Sequence, residues 1–465
     1  MLLVKPKESN MKYVKNIYIL FAFTTLTLTY SCSKQLDRTP TETVYSDEAL
    51  TNSNAVKKAL VGAYTDLGST YFYGGGAFLY PDLLGATTEI NWSGTFGGMT
   101  QMVNKDLPTN NSYVANTWLA AYKAINSVNN VLANLDKITD ADANASVEGQ
   151  AKFIRGSAYF DLVRIYAKAW NDGNPDENWG VPLVLTPTTL ITDSSKVARN
   201  TVFEVYMQVI SDLTDAKNLL PATNGFYAGS LTASAMLARV YLQQGDYASA
   251  VEEADRVIAS GKYSLTSSYA DAFPFPNETA SAVANTTEDV FAMQVTTSSG
   301  VNNFNTFYSP LSRGDIQIED AHLNLYEAND DRLNMFYSSG GSVYTGKFDN
   351  MYGNVHIIRL AEMYLIRAEG NFREGTTIGA APVTDINTIR NRVNLESYDE
   401  ADVTLDKILS ERYLELAFEG FKLHDIKRLE GNVGLLPWNA NALVFPIPSR
   451  EIKVNTKLIQ NDGYN

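Results

Sequence analysis

The sequence predicts a mainly α protein, a scaffold of helical hairpins that carries long irregular ligand-binding loops and few short strands. Two observations lead to this class. Apolar residues recur at spacings of three and four through 118–135, 151–169, 202–220, 233–260, 356–372 and 404–428, as on a helix with one buried face. Alternating strand patterns are sparse. Over 465 residues, 45% hydrophobic and 19% charged residues suffice for a sizeable core and exclude a disordered or collagen-like chain.

The N-terminus reads as an address. Lys12 and Lys15 precede an apolar run from Ile17 to Tyr30 that is shorter than the ~20 residues needed to span a bilayer, so residues 1–31 are expected to be a signal peptide. Cleavage before Cys32, the only cysteine, resembles processing of a bacterial lipoprotein signal, although Thr29 and Tyr30 depart from its usual small residues. The alternative is simple secretion with a free thiol. Acylation of Cys32 would hold the protein at a membrane through ~0.8 kcal/mol per buried CH₂. Residues 32–45, with Thr39-Pro40-Thr41, form the lipidated cysteine and a polar tether, and 46–465 a single domain.

Within that domain, 151–169 places Ile154, Ala158, Leu162, Ile165 and Tyr166 on one helix face. Segment 233–260 is more specific. Leu237, Ala238, Tyr241, Ala250 and Ala254 are spaced like a tetratricopeptide (TPR) hairpin turning at Gly245-Asp246, and Leu360, Ala361 and Tyr364 before Gly370 repeat part of it. Four segments, 68–117, 171–200, 262–316 and 337–355, read as loops. Loops beyond ~12–15 residues are uncommon unless functional or disordered, so the ligand surface is expected there.

Aromatic residues concentrate in the first of them. Tyr64, Tyr71, Phe72, Tyr73, Phe78, Tyr80, Trp92 and Phe96 lie among six glycines, at more than twice the chain's 11% aromatic content. Flat rings suit the C–H faces of sugars, with nearby polar groups for the hydroxyls. Trp92 is the first candidate, with Tyr73, Phe72 and Phe96. Asp82 and Glu89 are polar candidates for which a helix cap or solvated face is the plainer role. A second cluster holds Phe304, Phe307, Tyr308 and Arg313. Arg313 can span two hydroxyls or a carboxylate, or pair with Asp315 or Glu319. Pinning loops to the body is the competing role for any of these rings, as for Trp170 and Trp179.

The net charge is −15, and the first 31 residues are themselves basic, so the remainder is more acidic still and is a poor partner for nucleic acid. His322, His356 and His424 lack HExxH spacing, and no GxSxG elbow, P-loop or GxGxxG motif occurs. No catalytic residue, cofactor or metal site is therefore singled out, and no enzyme activity is expected. Among so many carboxylates, a glycosidase acid/base pair remains a lesser alternative.

Several motifs follow one another in a distinctive order. Leu36-Asp37 follows Cys32. A helix with Tyr122, Ile125, Asn129 and Leu132 precedes Ala151-Lys152-Phe153-Ile154-Arg155, and Val181-Pro182-Leu183 leads to Gly245-Asp246-Tyr247. Ile358-Arg359-Leu360-Ala361-Glu362, Ala368-Glu369, Ile389-Arg390-Asn391-Arg392, Glu411-Arg412, Glu415-Leu416, Glu419-Gly420 and Asp425-Ile426-Lys427-Arg428 come next. Pro446-Ile447-Pro448 and Gln460-Asn461 close the series, with Thr456 and Asp462 standing where proline is common. In this order the chain resembles the SusD/RagB family of outer-membrane lipoproteins. The resemblance implies a non-catalytic, surface-exposed binding protein that lies over a SusC-like TonB-dependent β-barrel and delivers oligosaccharides, or in some members peptides, for import. It does not supply ligand residues, which rest on the loop argument alone.

Overall fold

Each long helix covers an apolar face that only a neighbour can complete, and the neighbours form a series. The computed structural model describes residues 50–190 and 192–464; the expected signal peptide, Cys32 and the expected tether lie outside them. Leu50–Asn465 forms one compact unit. Helix α1 (Ser53–Leu67) starts where the Asn52 side chain accepts from the Ala55 N–H. Helix α2 (Gly76–Gly85), strand β1 (Ile90–Trp92) and helix α3 (Gly97–Val103) follow. Asn111 caps α4 (Ser112–Leu132), and Asp140 caps α5 (Ala141–Tyr166). A Thr201/Glu204 capping box opens α6 (Val202–Leu219).

The expected hairpin at 233–260 is α7 (Ser230–Gln244) and α8 (Tyr247–Ala259), joined by left-handed Gly245 with Asp246 capping α8. Leu237, Ala238, Ala250 and Ala254 are buried. Then come β2 (Asp289–Met293), α9 (Asn303–Tyr308), β3 (Ile316–Ile318), α10 (Asp320–Leu323), β4 (Phe336–Ser339), β5 (Ser342–Thr345) and β6 (Val355–Arg359). Strand β6 runs directly into α11 (Leu360–Glu374), followed by α12 (Pro382–Arg392), α13 (Leu405–Glu415), α14 (Lys422–Arg428), the β7–β8 hairpin (Asn432–Val433, Leu436–Pro437) and α15 (Ser449–Val454). The protein is mainly α with few short strands, as expected.

Helices α4 through α8 pack each on the next, α11 packs on α8, and α12 and α13 pack on α11. The α8–α11 approach is close enough that a side chain at Gly370 would collide with Val251. Two inserts leave this stack, one between α1 and α4 and one between α8 and α11. They meet in an antiparallel sheet of order β1-β3-β5-β4, with Trp92 opposite Ile316 and Ile90 opposite Ile318.

Three of the four expected loops thus carry regular structure. Helix α2 shows no amphipathic period because all ten of its residues are buried, and Gly76 and Pro81 within it read as helix breakers. Segment 337–355 holds most of the β4–β5 hairpin, and 262–316 holds β2 and α9. Among its described residues, segment 171–200 is irregular apart from a 3₁₀ turn at Asp193–Ser195 and an isolated antiparallel bridge from Trp179 to Thr201.

Buried ion pairs bind the stack to the second insert. Arg359, at the β6–α11 junction, donates to Glu288, Glu415 and Glu419 at 2.5–3.1 Å. Arg392 also reaches Glu288 and Glu415, and Lys347 reaches Glu419. Arg239 of α7 grips Glu362 of α11 through two bonds of 2.7–2.8 Å. Arg155 holds Asp212 in the same bidentate way and also Asn129, linking α4, α5 and α6.

Burial acts to raise the Glu419 carboxyl, but Arg359 and Lys347 hold it down at about 2. Its stabilisation is therefore complete above the unfolded value of ~4.3 and is lost as pH falls from there toward 2. Glu419→Gln should cost about 3–5 kcal/mol at neutral pH, as for a broken buried pair, with the gap from wild type narrowing between about pH 4.5 and 2. Urea denaturation across that range checks this, and equal neutral-pH stability would contradict it.

Candidate functional site

The β1–β3 pairing sets Trp92 at the end of a strand, where Ser93 N–H donates to Asp315 O at 2.8 Å. The chain then bends back over the indole so tightly that a side chain at Gly94 would collide with it. The indole N–H donates to Thr100 Oγ1 of α3 at 2.9 Å, which fixes the ring's orientation. Phe307 of α9 packs beneath at 6.0 Å between centroids.

Phe96, just before α3, is 37% exposed. It meets Tyr113 and Phe307 edge to face at 6.4 and 5.9 Å. The Arg313 guanidinium lies 4.5 Å from the Phe96 ring centroid, a cation–π contact. Its Nε donates to Asp315 Oδ2 at 2.7 Å. Of the two partners expected for Arg313, Asp315 is therefore the one it takes. Trp92, Phe96, Tyr113 and Arg313 form an accessible patch; Asn91 and Gln317 alternate to the other face of the β1–β3 ladder, where Asn91 donates to Gln317 at 2.9 Å. The Pro310–Gly314 turn that presents Arg313 also presents Leu311, 65% exposed, to a cleft of about 790 Å³ with Phe275, Tyr337 and Asp349 in its walls.

The other sequence candidates lie elsewhere. Phe72, Tyr73 and Tyr308 are sealed in the core, so their place in a ligand surface is corrected. The Tyr73 hydroxyl donates to Asp161 at 2.5 Å, and Tyr308 packs among Phe304, Phe348 and Phe418. Asp82 and Glu89 are also buried. Asp82 accepts from Gly420 N–H at 2.8 Å. Glu89 pairs with Lys422 and accepts from Thr87. Burial acts to raise Glu89, but Lys422 and Thr87 hold it below the usual carboxylate range. Asp82 thus ties α2, and Glu89 the base of β1, to the α13–α14 junction.

Sequence reasoning missed Tyr113 and Thr100. Tyr113 reaches the patch across Gly98, where a Cβ would lie 2.7 Å from its ring, a closeness with no sequence signature. None of the three histidines contributes a contact to the patch. His322 is pushed down to about 3 by burial and contacts Tyr326. Burial drives His424 well below its ordinary value. His356 pairs with Asp289, which raises it against the effect of burial. Among the described residues no cluster of three His, Cys, Asp or Glu side chains is arranged to hold a metal ion, and no helix is long and apolar enough to cross a membrane.

Residues 36–242 match a family model described as "Starch-binding associating with outer membrane", and 259–441 match one described as "SusD family". The two segments together take in most of the chain. It belongs to the SusD/RagB family. SusD-like protein P2 of Formosa agariphila is 26% identical over 97% of this chain and all of its own length. The crystal structure of a putative sugar binding protein from Bacteroides vulgatus is 26% identical, with a TM-score of 0.79 over 90% of this chain and 100% of that one. A SusD superfamily structure from Bacteroides thetaiotaomicron shares the fold at 24% identity and the same TM-score, covering 88% of this chain and 99% of its own.

In this SusD-family chain, Phe72→Ala should cost about 3–5 kcal/mol by opening a core cavity. Phe96→Ala should cost less than about 1 kcal/mol, and urea denaturation of the two variants tests the division between core and surface rings. Asp82 supplies a pH test. Burial raises its carboxyl to about 7, so the folded state binds the extra proton and wild-type stability falls as pH rises from about 4 to 7. Asp82→Asn keeps an acceptor for Gly420 and should raise the melting temperature at pH 8 while leaving it little changed at pH 4.

Proposed function

We propose that this protein is a lipid-anchored, cell-surface binding protein that captures oligosaccharides on the Trp92–Phe96–Arg313 patch. It passes them to a SusC-like TonB-dependent β-barrel, with Cys32 carrying the lipid. The observation that carries this reading is the patch itself. A hydrogen-bonded indole and an accessible phenyl ring are braced by Phe307 and Tyr113, with the Arg313 guanidinium alongside. Such a surface can stack on the C–H faces of a sugar and bond its hydroxyls without rearranging.

The similarity to a putative sugar binding protein and the starch-binding description of the family model support saccharide as the ligand class. Arg313 is already neutralised by Asp315, which disfavours a role in gripping a peptide carboxylate. The patch holds no histidine and no nucleophile–base pair, so the chemistry it supports is recognition.

Calorimetric titration of the mature protein against oligosaccharide and peptide panels tests the proposal. At least one oligosaccharide should bind and be recovered intact, and Trp92→Ala should weaken it by roughly 1–3 kcal/mol. Unchanged affinity in that variant would remove Trp92 from the site. Shortened products would point to a hydrolase, and a blank oligosaccharide panel with peptides protecting against heat would point to peptide cargo.

A further inference from the structure

A cleft of about 510 Å³ opens between the C-terminal half of α1, the α6–α7 loop and β2, within the range typical of small-ligand sites. It shares no residue with the Trp92 patch. Its aromatic wall is a run of rings: Phe226 on Tyr227 at 4.7 Å, and Tyr227 on Tyr64 at 4.8 Å. The buried end is fixed, because the Tyr64 hydroxyl donates to Gln150 at 3.2 Å and accepts from Ala228 N–H at 3.1 Å. At the open end Phe226 follows left-handed Gly225 and is 52% exposed.

Three features define what this cleft can hold. None of its lining residues carries a charge, although the chain has 37 basic and 52 acidic side chains. A charged ligand would lose hydration there and find no counter-charge. Ser69 and Thr70 line the side formed by the end of α1, whereas the Thr65 hydroxyl there already donates to Val61 O at 3.3 Å, and a purely hydrocarbon ligand would offer the Ser69 and Thr70 hydroxyls no partner. Phe226 adds a large apolar face at the rim, continuous with the exposed Val61 and Val301. A ligand with one apolar face, hydroxyl edges and no charge satisfies all three.

We propose that this cleft is a second binding site, for a neutral saccharide unit, with Phe226 as its stacking platform. The choice of saccharide rests on the function proposed above, whereas the site itself rests on the cleft. The test is calorimetric titration of wild type, Phe226→Ala, Trp92→Ala and the double variant. The probes are neutral starch-derived and mixed-linkage gluco-oligosaccharides, with oligogalacturonate as the charged control. Because Phe226 lies on an exposed loop, its truncation should leave the melting temperature unchanged.

The expected result is two binding events in wild type, one weakened roughly 5–100-fold by Phe226→Ala and the other by Trp92→Ala. One event abolished by Trp92→Ala and unaffected by Phe226→Ala would overturn the second site and leave the first. One event abolished by Phe226→Ala alone would support the cleft and overturn the Trp92 assignment. Absence of heat from every neutral probe would overturn both, and a Phe226-dependent event with oligogalacturonate of equal affinity would overturn the neutral class.

Discussion

Arg359 is the residue around which the frame is organised. It lies where β6 becomes α11, is buried, and is surrounded by carboxylates from the segment before β2, from α13 and from the turn after it. A guanidinium in that position without its partners would face a desolvation penalty of several kcal/mol. The three segments must therefore arrive together, and their arrival fixes how the second insert leaves the helical stack. Arg392 and Lys347 extend the same lattice. The proposed binding patch inherits its rigidity from this arrangement, since β3 and the Arg313 turn belong to that insert.

Much of the scaffold could be read from the sequence because TPR-like packing leaves local marks. The small residues of α7 and α8, Gly245 between them and Asp246 as cap all appear in the chain order that the structure uses. The inserts leave weaker marks. Strands β1 and β3 have three residues each and pair across more than two hundred positions, too short for periodicity and too distant for a turn signal. Helix α2 is buried on all sides, so its pattern is continuous rather than amphipathic.

The candidate site was legible only in part, for a related reason. Composition shows where rings gather but not which way they face. Phe72 and Tyr73 lie inside while Phe96 lies outside, yet all belong to one glycine-rich aromatic stretch. The charged motifs that carry the family resemblance, Arg359, Glu362, Glu369, Arg390, Arg392, Glu411, Glu415 and Glu419, prove to be members of buried ion pairs. They identify the frame, and the proposed ligand surface falls to less distinctive residues.

The pairing of β1 with β3 has a consequence for biogenesis. Trp92 and Arg313 come from opposite ends of a long connection, so a chain emerging N-terminus first displays β1 well before its partner exists. During that interval the strand is an open edge beside uncovered rings, a template for misassociation. Completion of the proposed patch is thus a late event for the folding chain, because the β1 edge stays open until the second insert supplies β3.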